Sequence, residues 1–404
     1  MPANAIVIVI DRLGAGYLGP YGNTWCETPA FNQLASEGVL WENAFADAPS
    51  VKGLYRGLTC GKHALDSSPT SEHLIQRIGA AGINTVLVTD DPELEKLPFS
   101  QGFGERVFAG TKALHATATS LDDTQTAHTF AATLDCLDQL RSPYLLWLHL
   151  RGMSGAWDAP REFRERFADE EDPTPPDFVI PPDKVLPQDV DPDEILGVNH
   201  AFAGQVALID VCLATFLDAL AKVPENENTL LVVTSGRGYP LGERGGFGAS
   251  TDGLHEEVLH VPLVIRVPQG RFAMQRSHAL VYPSDLYSTL RNWFGLPNDG
   301  AGWEGLDLLR LLEDRELQRE CIVSAFHNSR SLRTPAWFVT HEGDHPPRCF
   351  VKPDDRWEIN EVSNRRVDIV EQGLQALRAF EQAASEHKLV DLLKLPPILM
   401  QPPE

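Results

Sequence analysis

Asp11 and Arg12 stand directly behind an unbroken apolar run, Ala5 to Ile10 (AIVIVI). A second run, Thr229 to Thr234 (TLLVVT), delivers Ser235-Gly236-Arg237 in the same way, and a third, Tyr144 to Leu150 (YLLWLHL), carries His149. Near-continuous apolar runs of this length predict strands covered on both faces of a mostly parallel sheet. Open α/β sheets place their ligand crevice outside the carboxyl ends of such strands. Two readings follow for the charges gathered there. The arginines can bind an anion through charge-assisted hydrogen bonds. Alternatively, Arg12 or Arg237 pairs with Asp11, because a buried carboxylate needs a cationic partner. His149 is expected to be a hydrogen-bonded core or rim residue rather than an acid catalyst. Ser235, His255 and Asp210 assemble no Ser-His-Asp relay by their spacing, and no G-x-S-x-G elbow occurs. Glu256-Glu257 opens a helix and reads as structural.

The elements that must position these residues alternate along the chain. Thr85 to Thr89, Val261 to Val267 and Cys321 to Ala325 are further strand candidates. Thr28-Pro29 is a helix start, with Phe31 and Leu34 on one face and Gly38 at the end. Gln205 to Leu220 has apolar residues at helical spacing. This alternation predicts an α/β fold with a doubly wound, mostly parallel sheet over residues 1–326. Residues 168–194 hold ten acidic residues, one lysine and seven prolines, and are expected to form a long surface loop. From 327 to 404 the pattern changes to a small C-terminal α+β subdomain. Trp337 to Thr340, Cys349 to Lys352 and Trp357 to Ile359 read as short antiparallel strands, followed by a helix from about Arg366 to Leu392.

Composition narrows the function classes. The chain has 404 residues and a formal net charge of -23, so its long-range field repels nucleic acid and anionic membrane. Six scattered cysteines form no CxxC pair and no zinc-like spacing. No secretory leader is visible and no window approaches a membrane span by its run of apolar residues, so a cytoplasmic protein with reduced thiols is expected.

Several segments, in order, resemble one family. Val7 to Gly14 leads to Leu18-Gly19-Pro20-Tyr21-Gly22-Asn23, then to Thr28 to Val39 and Asn43-Ala44-Phe45-Ala46. Val206 to Leu220, Leu241 to Gly245, His255-Glu256-Glu257, Val261 to Ile265, Tyr282 to Leu290, Arg333 to Trp337 and Trp357 to Val362 continue the likeness. Together they resemble the sulfatase branch of the alkaline phosphatase superfamily over nearly the whole chain.

The resemblance implies a divalent cation, usually calcium, and a formylglycine nucleophile made from the first residue of C/S-x-P-S-R. The chain departs from both. The family's adjacent Asp pair is Asp11-Arg12 here, and its "SDHG" or "SDNG" ligand stretch is Ser235-Gly236-Arg237-Gly238. Of the expected ligand set only Asp11 remains, and arginine repels a cation. The nucleophile segment is Ser50 to Gly57. Depending on the anchor, Lys52 or Val51 stands at the nucleophile position, and Arg56 matches the motif arginine. Neither Lys52 nor Val51 converts to formylglycine. Gly248 to Asp252 lacks the family lysine. The remnant crevice is therefore Asp11, Arg12, Lys52, Arg56, Ser235, Arg237 and His149. Lys52, Arg56 and Arg237 are its anion-binding candidates, with no metal and no cofactor. The expected function is a catalytically inactive sulfatase-like protein binding a small sulfate- or phosphate-bearing ligand or a protein partner. The alternative is a sulfuric or phosphoric ester hydrolase with a remodelled site.

Overall fold

The structure of the protein, a computed structural model, describes residues 4–69, 73–110, 116–223, 227–251, 253–298, 305–389 and 393–402. In chain order the strands of its first half are β1 (Asn4–Ile10), β2 (Val39–Ala44), β3 (Asn84–Thr89), β4 (Glu105–Phe108), β5 (Tyr144–Leu150) and β6 (Lys184–Val185). They continue as β7 (Thr229–Thr234), β8 (Gly246–Phe247), β9 (Leu263–Arg266), β10 (Gln275–Val281), β11 (Ile322–Phe326), β12 (Ser329–Arg333), β13 (Trp337–Glu342) and β14 (Arg348–Val351). An eight-stranded sheet has the order β10-β2-β9-β7-β1-β5-β3-β4. The pairs among β7, β1, β5, β3 and β4 are all parallel, and β9 runs antiparallel to β7. The expected mostly parallel sheet is thus present, with β1 inside it.

Two compact units make up the chain. The first takes Met1–Leu40, Ile78–Asp252 and Val261–Arg276; the second takes Trp41–Arg77, Gly253–His260 and Ser277–Glu404. The compact units are drawn from discontinuous segments of the chain.

In the first unit every residue of β1 and β5 is buried, as their unbroken apolar runs require. Each fully buried Val, Ile or Leu contributes roughly 1.5–3 kcal/mol of transfer free energy. The helix Pro192–Ala221 packs through this core and begins well before the expected Gln205. Asp191 caps it, accepting the Asp193 N–H at 3.0 Å, Pro192 follows, and Asp193 and Glu194 complement the positive end of the helix. It is long and apolar enough to cross a membrane, contrary to the expectation of no such window, and its burial inside the unit accounts for that apolarity. The expected loop 168–194 therefore ends in a helix start, and it also contains β6, paired with β8.

The helix Pro29–Glu37 starts as expected at Thr28, but with a different cap. Thr28 accepts the Gly19 N–H at 2.8 Å instead. The N–H groups of Ala30 and Phe31 are taken by the Asp210 carboxylate at 3.1 and 3.0 Å. Burial pushes Asp210 up to about 6 against those two bonds. Asp210 is a helix-capping residue, not part of a relay.

In the second unit β11, β12, β13 and β14 form an antiparallel sheet in sequence order. The run at Cys321 to Ala325 belongs here rather than to the parallel sheet. Only His327 and Asn328 separate β11 from β12, and a two-residue connection closes a hairpin, which is antiparallel by construction. The strand expected at Trp357 to Ile359 is a turn. Asp355 accepts the N–H groups of Ile359 and Asn360, both at 2.9 Å, and removes them from any ladder. The C-terminal helix spans Val367–Ser385, and residues 390–392 of the expected helix lie outside the described residues.

Candidate functional site

The site lies at the carboxyl ends of β1, β5, β3 and β7, and register accounts for its assembly. Val9 and Ile10 sit opposite His149 and Leu150, and Thr89 sits opposite His149 on the other side. The residues after these strands therefore come level. They are Asp11, Asp90-Asp91, Arg151 and Ser235-Gly236-Arg237. The Asp11 N–H continues the ladder to the Leu150 carbonyl at 3.0 Å, and the Asp11 carbonyl accepts the Met153 N–H at 2.9 Å. Gly152 makes this return possible. Its φ is +52°, and a Cβ there would stand 2.6 Å from the Asp11 carbonyl oxygen.

Asp11 is 2% exposed and paired. Arg237 Nε donates to Oδ1 at 3.0 Å, an Arg237 terminal nitrogen donates to Oδ2 at 2.9 Å, and Ser154 Oγ donates to Oδ2 at 2.6 Å. Burial alone raises the Asp11 pKa. The Arg237 guanidinium more than reverses this, with Arg12 and His149 adding to it, and holds the carboxyl well below the usual range. Of the two sequence readings, pairing is realised, by Arg237. Ser235 shapes the turn, its hydroxyl donating to the Arg237 carbonyl at 2.8 Å. Arg12 is buried with φ 60° and donates to the Gly238 carbonyl at 3.3 Å, with its guanidinium 5.8 Å from the Tyr239 ring centre.

His149 is fully buried, as expected of a core residue, with Nε2 3.6 Å from Asp91 Oδ2. Asp91 is held below its usual range because that histidine and the Glu93 N–H outweigh burial. Asp90 accepts the Arg151 N–H at 2.7 Å, and burial nonetheless pushes it up to about 6.

Arg151, Ser154, Asp90 and Asp91 were missed as site residues. The signal that finds Asp90, Asp91 and Arg151 is their position directly behind a parallel strand, as Asp11 stands behind β1, and Ser154 lies in the turn after β5.

Lys52 and Arg56 lie in the second unit, on the helix Val51–Cys60 capped by Ser50. Lys52 is exposed. The Arg56 guanidinium is committed to backbone carbonyls of the loop that follows its helix. It donates to Asp66, to Ser68 at 2.9 Å and to His63 at 3.5 Å. In this arrangement Arg56 holds a loop.

The divalent cation that the sequence resemblance implies does not fit the residues present. Both Asp11 oxygens already accept from Arg237, and Arg12 and Arg237 put positive charge where ligands would stand. Among the described residues no three His, Cys, Asp or Glu side chains gather to hold a metal ion.

Beside the pair opens a hollow of about 500 Å³, lined by Arg12, Arg151, Arg237, Asp183, Tyr239 and Ile180 among others. All its lining residues belong to the first unit.

Comparison with known proteins adds the family. The model of the sulfatase family matches residues 3–296. An N-acetylglucosamine-6-O-sulfatase of Bacteroides thetaiotaomicron is 32% identical over 103 residues, 25% of this chain and 18% of that protein. Iduronate 2-sulfatase of Homo sapiens is 21% identical over 347 residues, 69% of this chain and 62% of that protein. The match thus spans less than two thirds of either relative. The crystal structure of a phosphonate monoester hydrolase of Agrobacterium radiobacter superposes with a TM-score of 0.78 at 18% identity, covering 95% of this chain and 96% of that one. The motif order along the chain, the mostly parallel sheet with Asp11 at the end of β1, and the family match over residues 3–296 agree, and the chain belongs to the sulfatase family.

Proposed function

We propose that this chain is a sulfatase-family protein without ester-hydrolysing activity, which keeps the fold to bind an anionic ligand. One observation carries the reading. Asp11, the sole survivor of the expected metal-ligand set, spends both oxygens on Arg237. A metal that polarises the ester and a nucleophile activated for attack act as a unit, and losing such groups together removes nearly all turnover. Neither Lys52 nor Val51 converts to the aldehyde that the resemblance implies.

The test is turnover of aryl sulfates and aryl phosphates, with calcium and with chelator, by the purified chain and by Asp11→Asn. The expected result is no hydrolysis in either. Hydrolysis that co-purifies with the chain and disappears in Asp11→Asn overturns the proposal in favour of a remodelled ester hydrolase.

A further inference from the structure

We propose that His200 is an acid-sensitive latch: its neutral, buried ring holds the acidic segment 167–172 closed, and proton uptake releases that segment from the first unit. The latch uses no residue of the hollow beside Asp11, so it stands or falls apart from the function proposed above.

Burial without bonding is the first argument. His200 lies in the first half of the helix Pro192–Ala221 and is 0% exposed. Among the described residues neither of its ring nitrogens makes a hydrogen bond. Native proteins seldom bury such groups unpaired. Asp172 Oδ2 stands 3.5 Å from Nε2, beyond a normal N–H to oxygen length. That oxygen already accepts the Asp169 N–H at 2.9 Å, and the Asp172 N–H donates to the Asp169 carbonyl at 3.1 Å, closing a turn. The Trp25 ring centre lies 6.1 Å from that of His200 and 5.1 Å from that of Phe167. Trp25 is itself 41% exposed, so the cluster sits at the edge of the core.

The sense of the switch follows from the donors. A neutral imidazole carries one N–H, and the protonated ring carries two. Asp172 can take one of them, while the other stays buried without an acceptor. Asp172 and Asp169 are the charged groups that favour the cation. Trp25 carries no charge, and neither do Leu196, Gly197, Ala203 and Gly204, one turn away on the same helix. Burial outweighs the two carboxylates and lowers the His200 pKa. A released, hydrated ring, with a pKa of about 6.5, therefore binds the proton more tightly than the buried one. The closed state is favoured in full above about pH 6.5 and is undone as pH falls below it.

The opening has a boundary built into the fold. Buried Arg164 donates to the Trp157 carbonyl at 2.5 Å, to the Phe178 carbonyl at 2.8 Å and to the Pro176 carbonyl. These bonds hold the chain beyond the segment without using His200 or Asp172, so the loosened stretch ends before residue 176. Release presents the consecutive carboxylates of Asp169, Glu170, Glu171 and Asp172, with the Trp25 and Phe167 rings, to solvent.

The experiment is hydrogen exchange read by mass spectrometry, corrected for the intrinsic pH dependence of exchange. The proteins are the native chain, His200→Phe and His200→Gln, and neither replacement titrates. In the native chain, peptides covering residues 167–172 should lose protection by up to about tenfold between about pH 7.5 and about pH 5.5, the limit that linkage to one proton sets. Peptides covering residues 177–180 should not change. Both variants should be flat in both windows. If His200→Phe fails to fold, His200→Gln and the two windows of the native chain carry the test. Carbon-labelled histidine NMR reads the ring directly, and His200 should titrate with a midpoint below about 6.5.

Flat exchange at residues 167–172 in the native chain overturns the latch. An acid-dependent loss that persists in either folded variant overturns its assignment to His200. Equal losses in the two windows show the whole unit loosening and overturn the local opening. A His200 midpoint above about 6.5 overturns the sense of the switch.

Discussion

Arg237 grips Asp11 with two parallel hydrogen bonds, Nε to Oδ1 at 3.0 Å and a terminal nitrogen to Oδ2 at 2.9 Å. The two residues lie 226 positions apart and come from the ends of neighbouring parallel strands. Removing one member of a buried ion pair leaves the other uncompensated. Arg237→Ala should therefore destabilise the protein by about 3–5 kcal/mol. The double variant Arg237→Ala, Asp11→Ala should recover much of that loss. Urea unfolding of the four proteins in the cycle measures the coupling, and additive losses would show that the pair is not coupled.

The same pair sets a pH dependence. The folded pKa of Asp11 lies below its unfolded value of about 3.9, so the unfolded chain binds that proton more tightly. The contribution is fully present above about pH 4 and is lost as pH falls toward the folded pKa. The difference in Tm between the native protein and Asp11→Asn should be constant from neutral pH down to about pH 5 and should shrink below about pH 4. A difference that grows as pH falls would contradict the assignment of Arg237 as the charged partner.

Calcium should leave the protein unmoved. A ligand that binds only the folded state stabilises it, and raises Tm, with the logarithm of its concentration above Kd. Millimolar calcium, magnesium or chelator should each leave Tm unchanged. A calcium-dependent rise that Asp11→Asn abolishes would show that Arg237 yields to the ion.

The second unit holds its own buried charges. Glu256 Oε2 accepts from Arg333 and from Lys352, both at 2.8 Å, and Lys352 lies 3.5 Å from Glu358. Burial raises the Glu256 pKa, and Arg333, Lys352 and His260 together overturn this and hold it at about 2. Glu256→Ala should destabilise by about 3–5 kcal/mol, because the buried cations Arg333 and Lys352 then lose the carboxylate they share. The stabilising contribution of Glu256 is full above its unfolded pKa of about 4.3 and lost as pH falls toward about 2. Chemical unfolding of Glu256→Ala and Glu256→Gln measures it, and a loss near zero in both would remove Glu256 from the structural role that its place at a helix start suggested.

Sequence alone determined where the three strands that carry Asp11, His149 and Arg237 run and which residues follow them. Ala5 to Ile10, Tyr144 to Leu150 and Thr229 to Thr234 are apolar without interruption because both faces of their strands are covered, and that pattern is local in the chain. It was enough to bring Asp11, Ser235 and Arg237 to one end of a sheet. Tertiary structure decided which arginine pairs with Asp11. Arg12 is the sequence neighbour, but its left-handed backbone carries it to the Gly238 carbonyl, whereas the turn closed by the Ser235 hydroxyl aims Arg237 at the carboxylate. Arg151 and Asp90 follow strand ends, which the sequence marks, but only parallel register brings them level with Asp11, because register is a relation between strands far apart in the chain. Arg56 shows the converse. Its motif position suggested an anion ligand, but its guanidinium is held by carbonyls of the loop it precedes, and only the folded path of residues 63–68 brings those carbonyls within reach.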